Sequence, residues 1–276
     1  MHKLIENSLN EDIGTGDLTT NSTIPSDATT IGYIVTREGG VVAGLPLAEM
    51  VFRRLDPSVE FRARVRDGEK VDRGRVLAEI AGNARVILTG ERLALNFLQR
   101  LSGIATRTAR LVDLVAGEKA HIVDTRKTTP GLRMIEKYAV RAGGGYNHRF
   151  GLYDAVLIKD NHIKVAGGIQ AAVGAARRGS PHTAKIEVEV EDLAGVSEAL
   201  AARADIIMLD NMEPAAMREA VALVAGRALV EASGGMNEEN IRAVAATGVD
   251  LISVGALTHS IKALDISLDV KEIKRG

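Results

Sequence analysis

Side chains able to do chemistry gather in the middle of the chain. Between Asp124 and Lys164 stand eight lysines and arginines against four acids, a window of +4 in a chain whose net charge is −1. Arg133, Lys137 and Arg141 recur every four residues with apolar residues between them, the pattern of a solvated helix face. Arg126, Lys127 and Lys159 differ, because they abut short apolar runs (AHIVDT, DAVLIKD) where strands would end. Cations at strand ends suit a small anionic ligand whose carboxylates or phosphates arginine can grip with two parallel bonds. Gly143, Gly144 and Gly145 precede Asn147, His148 and Arg149, so a His-Arg pair rides on a glycine-hinged loop.

Carboxylates oppose these cations. In KIEVEVED, strand alternation puts Glu187, Glu189 and Glu191 on one face. Asp210 ends the run IIMLD. Glu189 and Asp210 are expected at the site, facing sugar hydroxyls or a hydrated Mg²⁺, with ion pairs to strand-end lysines as the other reading. Ser233-Gly234-Gly235 and Gly255 close the last two apolar runs. Backbone N–H groups there can cradle a phosphate; the other reading of these glycines is a plain turn of the chain.

The elements that must position these residues follow a simple rhythm. The runs AHIVDT, DAVLIKD, KIEVEV, ADIIMLD, ALVEAS and LISVGA end near Asp124, Lys159, Glu189, Asp210, Ser233 and Gly255, with helical spacing in between. Strands alternating with helices imply parallel pairing through right-handed crossovers. Chemistry at the end of nearly every strand favours a barrel over an open doubly wound sheet, whose site gathers at one switch point. Roughly 140 residues are too few for eight units, so the expected α/β fold is an incomplete, open α/β barrel of six or seven parallel strands.

Ahead of it, Ala28 to Asn83 reads as short antiparallel strands with turns at Asp67-Gly68 and Arg73-Gly74, and a helix from Pro46 to Leu55. A long helix is expected from Glu91 to about Val115, with Leu93, Phe97, Leu101, Ile104, Thr108 and Leu111 on one stripe and Gly117 beyond its end. The stretch DGEKVDRGRVLAEI has the look of hairpins in biotinyl or lipoyl carrier domains, but no acceptor lysine follows in a tight turn.

Composition narrows the partners. Lysine plus arginine number 35 and aspartate plus glutamate 36 among 276 residues, which argues against nucleic acid or an anionic membrane. Cysteine is absent, which excludes disulfides, cysteine-zinc sites and a cysteine nucleophile. Aromatics at 3% without tryptophan argue against base stacking. Neither an apolar signal core nor an uninterrupted apolar run of about 18 residues occurs, so a cytoplasmic protein is expected.

With these residues in view, DTRKTTPGLRMIEKYAVRAGGGYNHRFGLYDAVLIKDNHI closely resembles the signature stretch of the quinolinate phosphoribosyltransferase family. NEDIGTGDLTT, ERLALNFLQRLSGIAT, KIEVEVE, IIMLDNM, EASGGMN and GVDLISVGALTHS are similar to further family segments in the same order, so the resemblance spans essentially the whole chain. It implies transfer of phosphoribosyl from phosphoribosyl pyrophosphate to quinolinate with decarboxylation. The products would be nicotinate mononucleotide, pyrophosphate and CO₂, with Mg²⁺ required, on the de novo route to NAD. It also implies an N-terminal α/β sandwich with a dimer-facing helix over 1–115, an α/β barrel over 116–264 and a C-terminal segment over 265–276 that returns to the sandwich, in a homodimer or higher homo-oligomer with shared sites. Arg92 then looks like the arginine lent across the dimer to the dicarboxylate, and Arg126, His148 and Arg149 like the in-chain clamp. Lys127 and Lys159 look like the lysines near dicarboxylate and pyrophosphate. With Glu189 and Asp210, which resemble the acids near the ribose hydroxyls and the metal (directly or through water), they form the implied catalytic set. Ser233, Gly234, Gly235 and Gly255 resemble the 5-phosphate cradle. The rivals are a same-fold protein of molybdate-transport systems, which shares parts of these motifs, and an enzyme taking nicotinate, whose single carboxylate needs fewer cations.

Overall fold

The computed structural model describes residues 1–274. In chain order the elements are α1 (His2–Ile13), α2 (Leu18–Thr23), β1 (Thr29–Thr36), β2 (Gly40–Val41), α3 (Leu45–Leu55), β3 (Glu60–Ala63), β4 (Lys70–Val71), β5 (Val76–Asn83) and α4 (Ala84–Leu114). Next come β6 (His121–Val123), α5 (Arg133–Ala142), β7 (Val156–Ile158), α6 (Asp160–Ala166), α7 (Ile169–Gly179), β8 (Ile186–Val190), α8 (Leu193–Ala201) and β9 (Ile206–Asp210). The chain then runs through α9 (Pro214–Val224), β10 (Leu229–Ser233), α10 (Ile241–Ala245), β11 (Leu251–Ser253), α11 (Ala256–His259) and β12 (Ile266–Lys274). Contacts divide it into two compact units. The first takes 1–107, 134–144 and the segment from 261 onward; the second takes 108–133 and 145–260. Among the described residues no helix is long and apolar enough to cross a membrane.

The first unit is built on an antiparallel sheet in the order β12-β1-β5-β3. Its helix α3 carries Pro46 in the first turn, where a missing N–H costs nothing, and buries Leu45, Leu47, Ala48, Val51 and Phe52. The start of α3 is held from a distance. Asp67, in the Asp-Gly turn, accepts hydrogen bonds from the N–H groups of Gly44 (2.8 Å) and Leu45 (3.1 Å) and from the Tyr138 hydroxyl (2.7 Å). Burial first, and the Asp67 carboxylate second, push the Tyr138 phenol well above its ordinary value. Asp67→Ala is therefore expected to lower stability by about 1–2 kcal/mol, as loss of a helix cap does, measured by urea unfolding. Asp67→Asn should recover part of this, because one amide oxygen still accepts.

Helix α4 begins seven residues before the expected Glu91. The reason is Asn83, whose side-chain oxygen accepts from the Arg85 N–H at 2.9 Å and so caps a start that Gly90 obscures in the sequence. Gly90 is a contact residue: a Cβ there would sit 3.0 Å from the Phe52 and Leu55 side chains. The stripe from Leu93 to Leu111 is buried throughout.

The second unit holds a six-stranded parallel sheet in the order β6-β11-β10-β9-β8-β7. All six expected strands form. The first strand pairs with the last, and Tyr146 bridges Val123 in parallel on the other side of β6. The segments therefore follow one another in cyclic order, and among the described residues the Tyr146 segment and β7 are not paired to each other. This is the expected incomplete α/β barrel.

One expectation is corrected. Arg133, Lys137 and Arg141 do not form a solvated face: only Arg141 is exposed, and Lys137 is buried. Arg133 donates to Thr128 Oγ1 at 2.9 Å and to the Phe150 carbonyl at 3.1 Å. Spacing of four identifies a face but not whether water or protein covers it.

Candidate active site

Strand alternation carries one side chain in two to the same face, and pairing sets the levels. Along β8, Glu187 is buried and Glu189 half-buried; along β9, Met208 is buried and Asp210 half-buried. Along β10 the pair is Glu231 and Ser233, and along β11 and beyond it is Ser253 and Gly255, again buried then half-buried. Each strand thus opens towards solvent at its C-terminal end, where Asp210 pairs with Ser233. Glu191, expected on the same face as Glu187 and Glu189, lies beyond β8 and is exposed.

Past β6, Asp124 is fully buried. It accepts from the His148 N–H at 2.8 Å and the Asn147 side-chain amide at 3.0 Å, which ties the loop after Tyr146 to the strand end. Thr258 donates to the Lys127 carbonyl at 2.7 Å and the Thr125 hydroxyl accepts from the Lys127 N–H at 3.0 Å, so the Arg126-Lys127 segment is fixed at both ends. Lys127 explains Gly255: a Cβ there would lie 3.0 Å from Lys127 Cδ and 3.2 Å from His259 Nε2. Asp154 accepts from the N–H groups of Phe150 and Gly151, at 2.6 and 2.8 Å, and shapes the rest of the loop.

Arg149 is half-buried and donates to the Ala155 carbonyl at 3.2 Å. Burial, then the neighbouring Arg126, lowers its pKa, with Glu187 and Asp154 acting the other way. Arginine stays charged regardless, so two guanidiniums repel each other at one place. An anion with two carboxylates would relieve that repulsion. Lys159 is ion-paired with Glu189. Asp210 accepts from the Asn211 side chain at 2.8 Å, and Asn211, at a φ of 54°, donates its own N–H to the Ser233 carbonyl at 2.9 Å. At Gly234, φ is +93° and a Cβ would lie 2.2 Å from Asn211 Oδ1, so only glycine fits. Gly235, at φ +59°, faces open space.

The second unit therefore brings together Arg126, Lys127, His148, Arg149, Lys159, Glu189, Asp210, Ser233, Gly234, Gly235 and Gly255. Arg92 belongs to the first unit, exposed on α4. Sequence reasoning passed over Glu231. It lies in the midst of ALVEAS, and an acid inside an otherwise apolar strand was the available signal. His148 Nε2 stands 3.0 Å from Glu187 Oε2 and 3.5 Å from Glu231 Oε1. Burial, then Glu187, pushes the Glu231 carboxyl up to about 8. As for a metal, Glu189 and Asp210 are hard oxygen donors on adjacent strands, open to solvent, and suit an ion that keeps most of its waters.

Comparison with known proteins agrees with this geometry. Residues 17–102 match the family model described as the N-terminal domain of quinolinate phosphoribosyl transferase, and residues 104–269 match that of its C-terminal domain. A Bacillus subtilis protein described as a probable nicotinate-nucleotide pyrophosphorylase [carboxylating] is 49% identical over 98% of this chain and 93% of its own length. A Nicotiana tabacum protein described as quinolinate phosphoribosyltransferase [decarboxylating] 1b is 43% identical over 97% of this chain and 81% of its own. The solved structure of the nicotinate-nucleotide pyrophosphorylase from Francisella tularensis superposes with a TM-score of 0.94 at 46% identity, covering 98% of this chain and 95% of that one. The chain belongs to the quinolinate phosphoribosyltransferase family.

Proposed function

We propose that the chain transfers the phosphoribosyl group of phosphoribosyl pyrophosphate to the ring nitrogen of quinolinate and releases pyrophosphate and CO₂. The product is nicotinate mononucleotide, a step of de novo NAD biosynthesis, carried out in the cytoplasm. The observation that carries the reading is the meeting of Arg126 and Arg149 near Glu187, on whose strand Glu189 pairs with Lys159, since a dicarboxylate is what such a cation set can hold.

Arg126 and Arg149 clamp the carboxylates and aim the ring nitrogen, which is already nucleophilic and needs orientation rather than a base, while His148, whose ring nitrogens meet the Arg149 N–H and Glu187, positions Arg149. Glu189 and Asp210 stabilise positive charge on the ribose as pyrophosphate departs. Lys127 and Lys159 neutralise the leaving group. Ser233, Gly234, Gly235 and Gly255 receive the 5-phosphate. Glu189 and Asp210 would hold Mg²⁺, directly or through water, and the ion would supply further charge neutralisation at the leaving group. Once the nitrogen is alkylated, the bond from C2 to its carboxylate breaks and CO₂ leaves; the electron pair stays on C2, stabilised by the adjacent pyridinium nitrogen, and takes up a proton from solvent.

The test is incubation with phosphoribosyl pyrophosphate, Mg²⁺ and either quinolinate or nicotinate. Mononucleotide and CO₂ from quinolinate alone are expected; product from nicotinate alone, or none from either, overturns the reading. The proposal includes a homodimer or larger homo-oligomer in which Arg92 serves a neighbour's site. Arg92→Ala and Lys127→Ala subunits, each inactive alone, should regain about a quarter of wild-type activity when randomly mixed as dimers, because half the sites in each mixed dimer are intact. No recovery in verified heterodimers rejects sharing.

A further inference from the structure

Three carboxylate oxygens lie buried behind the cations without a hydrogen-bond partner: Glu187 Oε1 and both oxygens of Glu231. Glu187 and Glu231 are 2% and 0% exposed, and with His148 they offer ligand atoms within 4.8 Å of one another. Leaving such oxygens unpaired is costly, and two adjacent buried carboxylates cannot both ionise cheaply. One proton shared between the two carboxylates removes a charge and pairs two of these three oxygens.

The imidazole determines the direction of the chain. His148 Nδ1 accepts the Arg149 N–H at 2.8 Å, so that nitrogen carries no proton. Nε2 then holds the ring proton and donates it to Glu187 Oε2 at 3.0 Å. The other oxygen of Glu187 is left to accept.

We propose that Glu231 is a positioning residue: as a neutral carboxylic acid it donates to Glu187, which thereby holds the His148 ring in the tautomer that fixes the Arg149 backbone. Deep strand β10 is thus connected to the residue that grips the substrate carboxylate, and no atom of Glu231 need touch substrate. The groups facing Glu231 are Glu187 from β8, His148 from the loop, Asp124 from the end of β6 and Ser253 from β11. The Ser253 hydroxyl has one proton, which it can give either to the Ala232 carbonyl at 3.3 Å or to Glu231. Arg149 and Arg126 lie beyond His148 and Glu187. The inference rests on the quinolinate reading for its kinetics but not for its spectroscopy.

Glu231→Gln keeps a donor towards Glu187, and Glu231→Ala does not. Near about pH 7, E231Q should hold the quinolinate KM within about twofold of wild type, while E231A raises it about tenfold, a difference of ~1.4 kcal/mol, with the phosphoribosyl pyrophosphate KM unchanged in both. In wild type the quinolinate KM should rise as pH passes about 8, because ionised Glu231 loses its proton to donate and adds negative charge behind a dianion. E231Q should be flat over the same range. Infrared difference spectra of the substrate-free enzyme should show wild type losing a protonated-carboxyl band over that range, with no such band in E231Q. If quinolinate is not turned over at all, the activity reading fails while the band still reports the proton. A missing band, a divalent ion bound to the cluster in the purified protein, or E231Q no better than E231A overturns the proposal. Should E231A not fold, the band and the pH-independent KM of E231Q decide.

Discussion

Replacing Arg149 by alanine should raise the quinolinate KM about 100-fold, or ~2.7 kcal/mol, within the range found when one partner of a desolvated, hydrogen-bonded charge pair is truncated. The effect is large because the guanidinium is half-buried and already oriented by the Ala155 carbonyl, so little freedom is lost when a carboxylate binds. The phosphoribosyl pyrophosphate KM should change less than about threefold, since that substrate's phosphates are assigned to Lys127, Lys159 and the glycine turns. Lysine should not restore binding, because a point charge lacks the planar fork and the bond to Ala155. Because Glu231 acts through the Arg149 guanidinium, the alkaline rise in KM should shrink in Arg149→Ala to the direct effect of the ionised carboxyl's charge. Initial rates with each substrate varied in turn provide the check. An unchanged quinolinate KM rejects Arg149 as part of the clamp.

Gly103→Ala should be the most damaging single methyl in the first unit. In an ordinary helix interior the change gains up to about 1 kcal/mol. Here the added Cβ would lie 2.2 Å from the Lys262 carbonyl oxygen and 3.1 Å from Ala263 Cα, both backbone atoms that cannot swing away. Either the helix or the 261–264 crossing must move, and with it the bonds from the Leu264 N–H to the Gln99 carbonyl (3.0 Å) and from the Gln99 side chain to the Ile266 carbonyl (2.7 Å). A net loss of about 3 kcal/mol is expected, the upper end for overpacking. Differential scanning calorimetry should show a Tm lower by roughly 6–12 °C. Hydrogen exchange should quicken first in β12. Gly117→Ala is the control: its Cβ meets open space, and a φ of +92° alone should cost about 1–2 kcal/mol. Equal losses for the two variants would reject the clash.

Periodicity made the regular parts of this molecule readable in advance. The six barrel strands, the Pro46 helix, the Asp67-Gly68 turn and the stripe of α4 depend on local spacing and on residue types with fixed backbone habits. The start of α4 was missed because its cap is a side-chain bond, Asn83 to Arg85, ahead of a glycine that local propensity penalises. The burial of Lys137 was missed because what covers a helix face is decided by elements far away in sequence. The same holds for the grouping of 134–144 with the first unit. The strand-end cations and acids could be named because a parallel strand ends where its apolar run ends. Glu231 is signalled only as an acid inside an apolar run; its meaning comes from Glu187 and His148, brought beside it from 44 and 83 residues away.

The seam between the Tyr146 segment and β7, where the described residues form no ladder, has a consequence for what the wall of the barrel can present. A strand sends successive side chains to opposite faces, so two neighbours on a strand could never both serve the interior. Residues 147–155 are released from that parity, because aspartates at both ends, Asp124 and Asp154, hold them by backbone N–H groups instead of a ladder. His148 and Arg149 can therefore stand side by side and both meet the field of Glu187. Had the seam been zipped into a complete barrel, one of the two would have turned outward among the helices, and the imidazole could not have reached its own neighbour's N–H while the guanidinium reached for substrate.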